Sequence, residues 1–413
     1  MTSPKIVLFG RFGSGNIGND SSLEAALHNI RMRCPDKEII CVCNGPDAIA
    51  ERFSITALPV DIAEHRDRRD VEIDNRFLRT LVRLASRLGD EISFWLNRTR
   101  WFQPGDQFII VGTGAVDDMA VKPWNAPYDL YKWCKCAKLG GAKVIFLSVG
   151  VGPIVNRVSR LLMLSALRMA DYRSYRDLES LNFLKRNNFD VSSDYIFPDL
   201  VFSLDKRYLE TNERAKKSEV TVGVGLLNYY GWEHDPALGE SIYQEYIAKI
   251  KQFITWLLDS GYLVRILRGD STDDRPVNEI LEYIQSRKSS LGNDKVIAGE
   301  IHNIDELFEQ IEQTDIVVAS RFHNVLCSLM LKRPAISIGY HVKNIELMNA
   351  FGLREYCQEI ESFKVEELIR QLSMYKKNMY HLIDRIHEQN TKNRQLLEEQ
   401  YETLFPQAKD KGI

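Results

Sequence analysis

The sequence predicts an α/β protein of two doubly wound domains, each a parallel sheet covered by helices, with a C-terminal helix after them. Three observations predict it. Short β-branched runs alternate with longer helical patterns. The strand runs are almost continuously apolar, the mark of strands covered on both faces. A charged stretch, DKRYLETNERAKKSE, interrupts the alternation near the middle of the chain.

In chain order the strand runs are KIVLFG, EIICVCN, QFIIVGTG, KVIFLSVG and DYRSYR, then VTVGVGLL, LVRILRG, DKVIAG, DIVVAS and PAISIGY. The first five define an N-terminal domain over residues 1–205, and the second five a domain over residues 220–375. Residues 206–219 read as a linker, and residues 376–413 as a long polar helix. That helix is expected either to cross back onto the first domain or to pack on the surface.

Composition narrows the function classes. A chain of 413 residues has ample core for two or three domains. The formal net charge of −3 gives no global attraction for nucleic acid. No uncharged apolar run approaches the roughly 18 residues a spanning helix needs. The opening MTSPKIVLFG lacks the layout of a signal peptide, so the expectation is a cytoplasmic protein. Seven cysteines include the pairs Cys41/Cys43 and Cys134/Cys136, without companion histidines. They read as buried free thiols, and no metal site is expected.

The first strand leads into GRFGSGNIGND, where Gly13, Gly15 and Gly18 spell G-x-G-x-x-G. A dinucleotide site also needs an acidic residue at the end of the second strand to hold the ribose. Here that strand ends at Cys43-Asn44, and Asp47 lies beyond it. The fingerprint is incomplete, and NAD is not expected. The glycines still allow close approach of a ligand to a helix N-terminus with free N–H groups. Three more strands end in glycine: Gly112 and Gly114 before Asp117 and Asp118, Gly150 and Gly152 before Pro153, and Gly223 with Gly225. Ligands of doubly wound sheets bind outside the carboxyl ends of strands. Four glycine-rich ends there suggest a ligand-facing floor.

The sharpest constellation is ASRFHNVLCSLMLKRPAISIGYHVKN. Ser320 is the expected N-cap of a helix, with Arg321 and His323 in its first turn. Cations oppose the dipole at a helix N-terminus, so their presence there points to an anion. A guanidinium grips a carboxylate or phosphate at two points. The histidine can bond an anion or move a proton near neutral pH. Lys343 adds a third cation. Earlier, Arg176 follows a strand and precedes Asp177, Glu179 and Ser180, a helix start in its own right.

At this point the chain resembles the polysaccharide pyruvyl transferase family, over roughly residues 5–355. GSGNIGND resembles the family's G-x-G-N-x-G-D-E loop, VGTGAVDD its G-G-G-x-x-x-D segment, and SVGVGP its G-x-G-x-G-P segment. YRDLES matches R-D-x-x-S, PDLVFSL resembles D-x-x-F, and the Arg321–Lys343 block matches R-x-H…P…Y-x-x-K. The sequence departs at Asn19-Asp20, where the family has Asp-Glu, at VGTG, which lacks one glycine, and at Ser148.

The resemblance implies two doubly wound Rossmann-like domains facing a cleft, a GT-B-like fold, with the acceptor on the N-terminal side. It implies transfer of the pyruvyl group of phosphoenolpyruvate onto two hydroxyls of one sugar, as a ketal, with release of phosphate. No tightly bound cofactor is implied. Arg176, Arg321, His323 and Lys343 would hold phosphoenolpyruvate. His323 would transfer a proton or stabilise the departing phosphate. Asp117 and Asp118 would orient or deprotonate the sugar hydroxyls, and Gly15, Asn16, Gly114 and Tyr340 would line the acceptor. The alternatives are a GT-B-like glycosyltransferase using a nucleotide sugar, and a non-catalytic member of the family.

One further segment, residues 72–101, carries Phe77, Leu81, Leu84, Leu88, Ile92 and Trp95 at helical spacing, with flanking arginines. The preferred expectation is a core-facing helix. The alternative is peripheral contact with an anionic membrane at its inner face.

Overall fold

The computed structural model describes residues 3–60, 76–112, 114–118, 121–205, 219–231, 235–287 and 295–406, without the side chains of 76–85, 87, 236 and 376. Most of the expected linker, residues 206–218, lies outside the described residues. The chain packs as two units, Met1–Ser14 with Ile30–Asp199, and Gly15–Asn29 with Leu200–Ile413.

The first unit holds a sheet of seven strands: β1 (Ile6–Phe9), β2 (Ile39–Cys43), β3 (Thr56–Pro59), β4 (Gln107–Val111), β5 (Lys143–Val149), β6 (Tyr172–Tyr175) and β7 (Tyr195–Ile196). Their order is β3-β2-β1-β4-β5-β6-β7, and every pairing is parallel. The second unit holds β8 (Thr221–Gly225), β9 (Leu263–Leu267), β10 (Val296–Ala298), β11 (Ile316–Ala319), β12 (Ala335–Gly339) and β13 (Cys357–Glu359). Their order is β10-β9-β8-β11-β12-β13, again all parallel. Both sheets are doubly wound, with strand order reversing between β1 and β4 and between β8 and β11. All ten expected strand runs form strands. The three additional ones, β3, β7 and β13, lie at sheet edges, where two to four residues suffice and no long apolar run is required.

The sequence boundary at residue 205 places Gly15–Asn29 in the wrong unit. The helix Ile17–Arg33 begins among second-unit residues: the Asn29 side chain donates to Ser203 O at 2.9 Å, and His28 lies 3.9 Å from Asp205. Leu200–Ser203 follows it into that unit. Contacts so distant in sequence leave no trace in a local pattern.

The C-terminal helix is longer than the expected tail. It runs Val365–Leu404 and buries one face in the second unit. Tyr375 donates its hydroxyl to Ala335 O at 2.7 Å, and Asn390 donates to Leu329 O at 2.7 Å. It therefore belongs to the second unit's own core.

The first unit's core gathers around Trp133, stacked on Phe108 at 6.2 Å and edge-on to Phe94 at 5.3 Å. Phe94 lies on the helix Arg76–Trp101. The expectation that Leu88 and Ile92 face the core fails, since they are 58% and 59% exposed. Trp95 of the expected stripe does pack against this core, beside Phe94 and Arg98, the last lying 5.3 Å from the Trp133 ring centre. Residues 72–75 and the side chains of Phe77, Leu81 and Leu84 lie outside the described residues. Among the described residues, no helix is long and apolar enough to cross a membrane. All seven cysteines are free thiols.

Candidate active site

In the second unit the candidate residues meet where strand order reverses between β8 and β11. The helix Phe322–Met330 follows β11 directly, and its N-cap is Arg321 rather than Ser320. The Ser320 hydroxyl is drawn inward to Tyr246 Oη, 3.0 Å away. The Tyr246 hydroxyl also accepts the Leu227 N–H at 3.3 Å, and burial pushes this phenol up to about 12.

Arg321 is held on one edge. Its Nε donates to Asp273 Oδ2 at 2.8 Å and its Nη2 to Asp273 Oδ1 at 2.6 Å, the two-point geometry that suits a planar guanidinium. Nη2 also donates to Thr272 Oγ1 at 3.1 Å, and Asp270 lies 3.8 Å from Nη1. Asp273 is 0% exposed and further accepts the N–H groups of Asn228 and Gly269, at 3.1 and 3.3 Å. Burial pushes its carboxyl above the usual range, and the hydrogen bonds from Arg321 pull it back.

His323 lies edge-on to Phe322, ring centres 5.2 Å apart. Lys343 Nζ sits 5.4 Å from the Phe322 ring centre and 4.8 Å from that of Tyr340, and makes no ion pair among the described residues. Cation–π contacts of this kind hold an ammonium without neutralising it. The opening loop joins this cluster. Asn16 donates to Asp270 Oδ2 at 2.7 Å, and the Ser271 N–H donates to Gly15 O at 3.3 Å. Thus Arg321, His323, Lys343, Tyr340, Gly15 and Asn16 all belong to the second unit.

The first unit holds the other four candidates, Arg176, Gly114, Asp117 and Asp118. Asp118 accepts the N–H groups of Val155 and Asn156 at 2.9 and 2.8 Å, just before the helix Arg157–Arg168. Asp117 lies at the β1/β4 reversal, its carboxylate 3.6 Å from Arg11 Nη1. Arg176 Nη1 donates to Asp199 at 3.1 Å, with Asp177 3.6 Å from Nε. Asp177 caps the helix Leu178–Arg186 by accepting the Ser180 N–H at 2.7 Å, and the Ser180 hydroxyl accepts the Val151 N–H at 2.8 Å. The R-D-x-x-S element is therefore one cation and a self-supporting turn.

The glycines do not leave bare floor, as the sequence suggested. The protein's own side chains fill the space. A Cβ on Gly18 would lie 1.9 Å from His323 Nδ1, and one on Gly114 2.7 Å from Asp117 Oδ2. One on Gly150 would lie 3.0 Å from the Arg176 guanidinium. Gly18 has no room for a side chain because a histidine from far along the chain rests on it, whereas Gly13 and Gly15 adopt positive φ, 71° and 85°, and meet the Gly45 backbone and Ser271. Ser148 has φ 48°, a left-handed backbone that glycine adopts freely, which explains the family's preference there.

Sequence reasoning missed Asp270, Asp273 and Arg11. The signal for the aspartates was GDSTDD directly after a strand, a run of acids at a ligand-facing strand end. Among the described residues, no group of three or more histidine, cysteine or carboxylate side chains could hold a metal.

Two all-parallel, doubly wound units with polar residues gathered at their reversal points define a GT-B-like α/β protein. Solved structures share that architecture. A UDP-GlcNAc 2-epimerase of Neisseria meningitidis, solved with UDP-GlcNAc, aligns at TM-score 0.59 and 10% identity, over 97% of this chain and 99% of that one. A glycosyltransferase of Rickettsia africae ESF-5 aligns at TM-score 0.57 and 13% identity, over 99% and 100%. At such identities the likeness concerns fold alone. The family profile for polysaccharide pyruvyl transferases matches residues 16–342, and the chain belongs to that family. It is also 22% identical to the amylovoran biosynthesis protein AmsJ of Erwinia amylovora, over 89% of this chain and 91% of that one. Family membership makes it a transferase of polysaccharide biosynthesis.

Proposed function

We propose that the protein transfers the pyruvyl group of phosphoenolpyruvate to two hydroxyls of a sugar in a surface polysaccharide or its precursor. The observation that carries this reading is the cluster at the N-terminus of the helix Phe322–Met330. Lys343 makes no ion pair among the described residues, Arg321 has Nη1 outside its hydrogen bonds, and both His323 and Lys343 lie against the Phe322 ring. Phosphoenolpyruvate is small and carries a carboxylate and a phosphate, so it suits several donors in a compact space.

The chemistry balances without a cofactor. The enol CH2 takes a proton from His323 and becomes a methyl group, which leaves positive character on C2. A sugar hydroxyl forms a C–O bond to C2 and gives up its proton. The C2–O bond to phosphate breaks, and Lys343 and the helix N–H groups stabilise the charge on the departing group. The second hydroxyl then closes the ketal; one hydroxyl proton restores His323 and the other leaves on the phosphate. Asp117 is the first unit's candidate for orienting hydroxyls, whereas Asp118 is committed to backbone N–H groups and supports the adjoining turn.

Calorimetric titration with phosphoenolpyruvate tests the reading, with Lys343→Ala as the comparison. Saturable binding that the variant loses is expected. In turnover, phosphoenolpyruvate carrying 18O in the bridging position should deliver that label to phosphate. Consumption of a nucleotide sugar, with phosphoenolpyruvate untouched, would replace this reading with glycosyl transfer.

A further inference from the structure

We infer that Asp273 is a positioning residue: it clamps one edge of Arg321 so that Nη1 alone is presented to the donor's anionic groups. The inference rests on the pyruvyl-transfer reading for its kinetic part. A guanidinium has five N–H donors. Asp273 takes one from Nε and one from Nη2, and Thr272 takes the second from Nη2. The two Nη1 hydrogens remain, with Asp270 3.8 Å away. A long arginine side chain otherwise samples many rotamers. The clamp removes that freedom before the ligand arrives, which lowers the ordering cost of binding.

Asp273 is itself fixed. The Asn228 N–H comes from the loop after β8, and the Gly269 N–H from the loop after β9. Both loops lie at the carboxyl ends of their strands, so the carboxylate ties the two strand ends to Arg321. Gly269 completes the arrangement, since a Cβ there would lie 3.1 Å from Arg321 Cγ. Asp270 does a different task. It accepts from Asn16 and from the Thr272 N–H and hydroxyl, so it shapes the loop and meets Arg321 only at a distance.

Two variants separate positioning from charge balance. Asp273→Asn keeps the shape and removes the charge; Asp273→Glu keeps the charge and displaces it. A positioning role predicts that both raise KM for phosphoenolpyruvate roughly tenfold or more, the worth of a hydrogen bond to a charged group, with a smaller change in kcat. A charge-balancing role predicts that Glu restores KM. A second arm needs no turnover: methylguanidinium should bind Arg321→Ala, and binding should be lost in Arg321→Ala/Asp273→Asn. A third uses the unmodified protein with 15N-labelled arginine. The Arg321 Nε–H signal should be protected from exchange without ligand, and phosphoenolpyruvate should shift the Nη signals more than Nε. Unchanged KM in both folded variants, methylguanidinium binding indifferent to Asp273, or a rapidly exchanging Nε–H would each overturn the inference. Failure of the wild type to bind phosphoenolpyruvate would instead overturn the pyruvyl-transfer reading, and the methylguanidinium and exchange measurements would still decide the clamp.

Discussion

Arg176 and Arg321 occupy similar stations in the two units. Each follows a sheet strand closely, each has a glycine pressed against it, and each meets a buried aspartate. The manner of holding differs. Arg321 is gripped at two nitrogens by Asp273, whose other bonds reach the loops of two neighbouring strands. Arg176 meets Asp199 through Nη1, and its nearest other carboxylate, Asp177, is occupied in capping the helix that follows. The second unit aims its arginine with residues drawn from across the sheet. The first unit builds its arginine into a local turn. The same pairing of an arginine with a buried aspartate thus holds two nitrogens in one unit and one in the other.

The largest effect that would break this comparison is on stability. Asp199→Ala removes the carboxylate that accepts from Arg176 Nη1, in a pair whose side chains are 8% and 5% exposed. Loss of about 3–5 kcal/mol is expected in urea unfolding of the first unit's transition. Asp273→Asn should by contrast act mainly on donor affinity. Equal stability losses in both would erase the distinction.

The glycine contacts give the next test. Gly18→Ala forces the His323 ring aside, and displacement of about 1 Å can lower a rate ~100-fold. Gly114→Ala should cost less, because the Asp117 carboxylate can turn away. Steady-state rates of the two variants, set beside their thermal midpoints, check the order. A smaller change is expected at Asp118→Ala, where two backbone N–H groups lose their acceptor. About 1–3 kcal/mol should disappear from the thermal stability of the folded protein.

The mildest prediction concerns alkaline pH. Burial raises Tyr246 from 10.0 to about 12. The folded state thus holds the proton more tightly than the unfolded state. The stability this confers is complete below pH 10.0 and falls as pH rises through about 12, by ~1.4 kcal/mol per pH unit within that window. Denaturant midpoints measured across it should decline in the wild type and decline less in Tyr246→Phe.

The sheet architecture was legible because covered parallel strands favour apolar runs, and all ten expected runs form strands. The edge strands were illegible for the opposite reason: Tyr195–Ile196 is two residues long. Arg321 and His323 stood out because cations are misplaced at a helix start, and Lys343, from beyond the next strand, comes to the Phe322 ring beside them. Their partners did not stand out. Asp273 is 48 positions from Arg321, and Asn16 is 254 from Asp270, so only the fold joins them. The outward face of Leu88 and Ile92 escaped for a related reason. An apolar stripe shows that a helix has two sides, but not that the inner one would pass through Phe94, Trp95 and Arg98 and leave Leu88 and Ile92 outside.

The contact between Gly18 and His323 also sets a schedule. During synthesis the wall of the glycine loop leaves the ribosome about 300 residues after the loop itself, roughly 15–60 s at ordinary elongation rates. For that interval Gly15–Asn29 has no second-unit core to join. A nascent chain arrested before Ser320 should therefore leave this segment open to protease, and release of the full chain should close it.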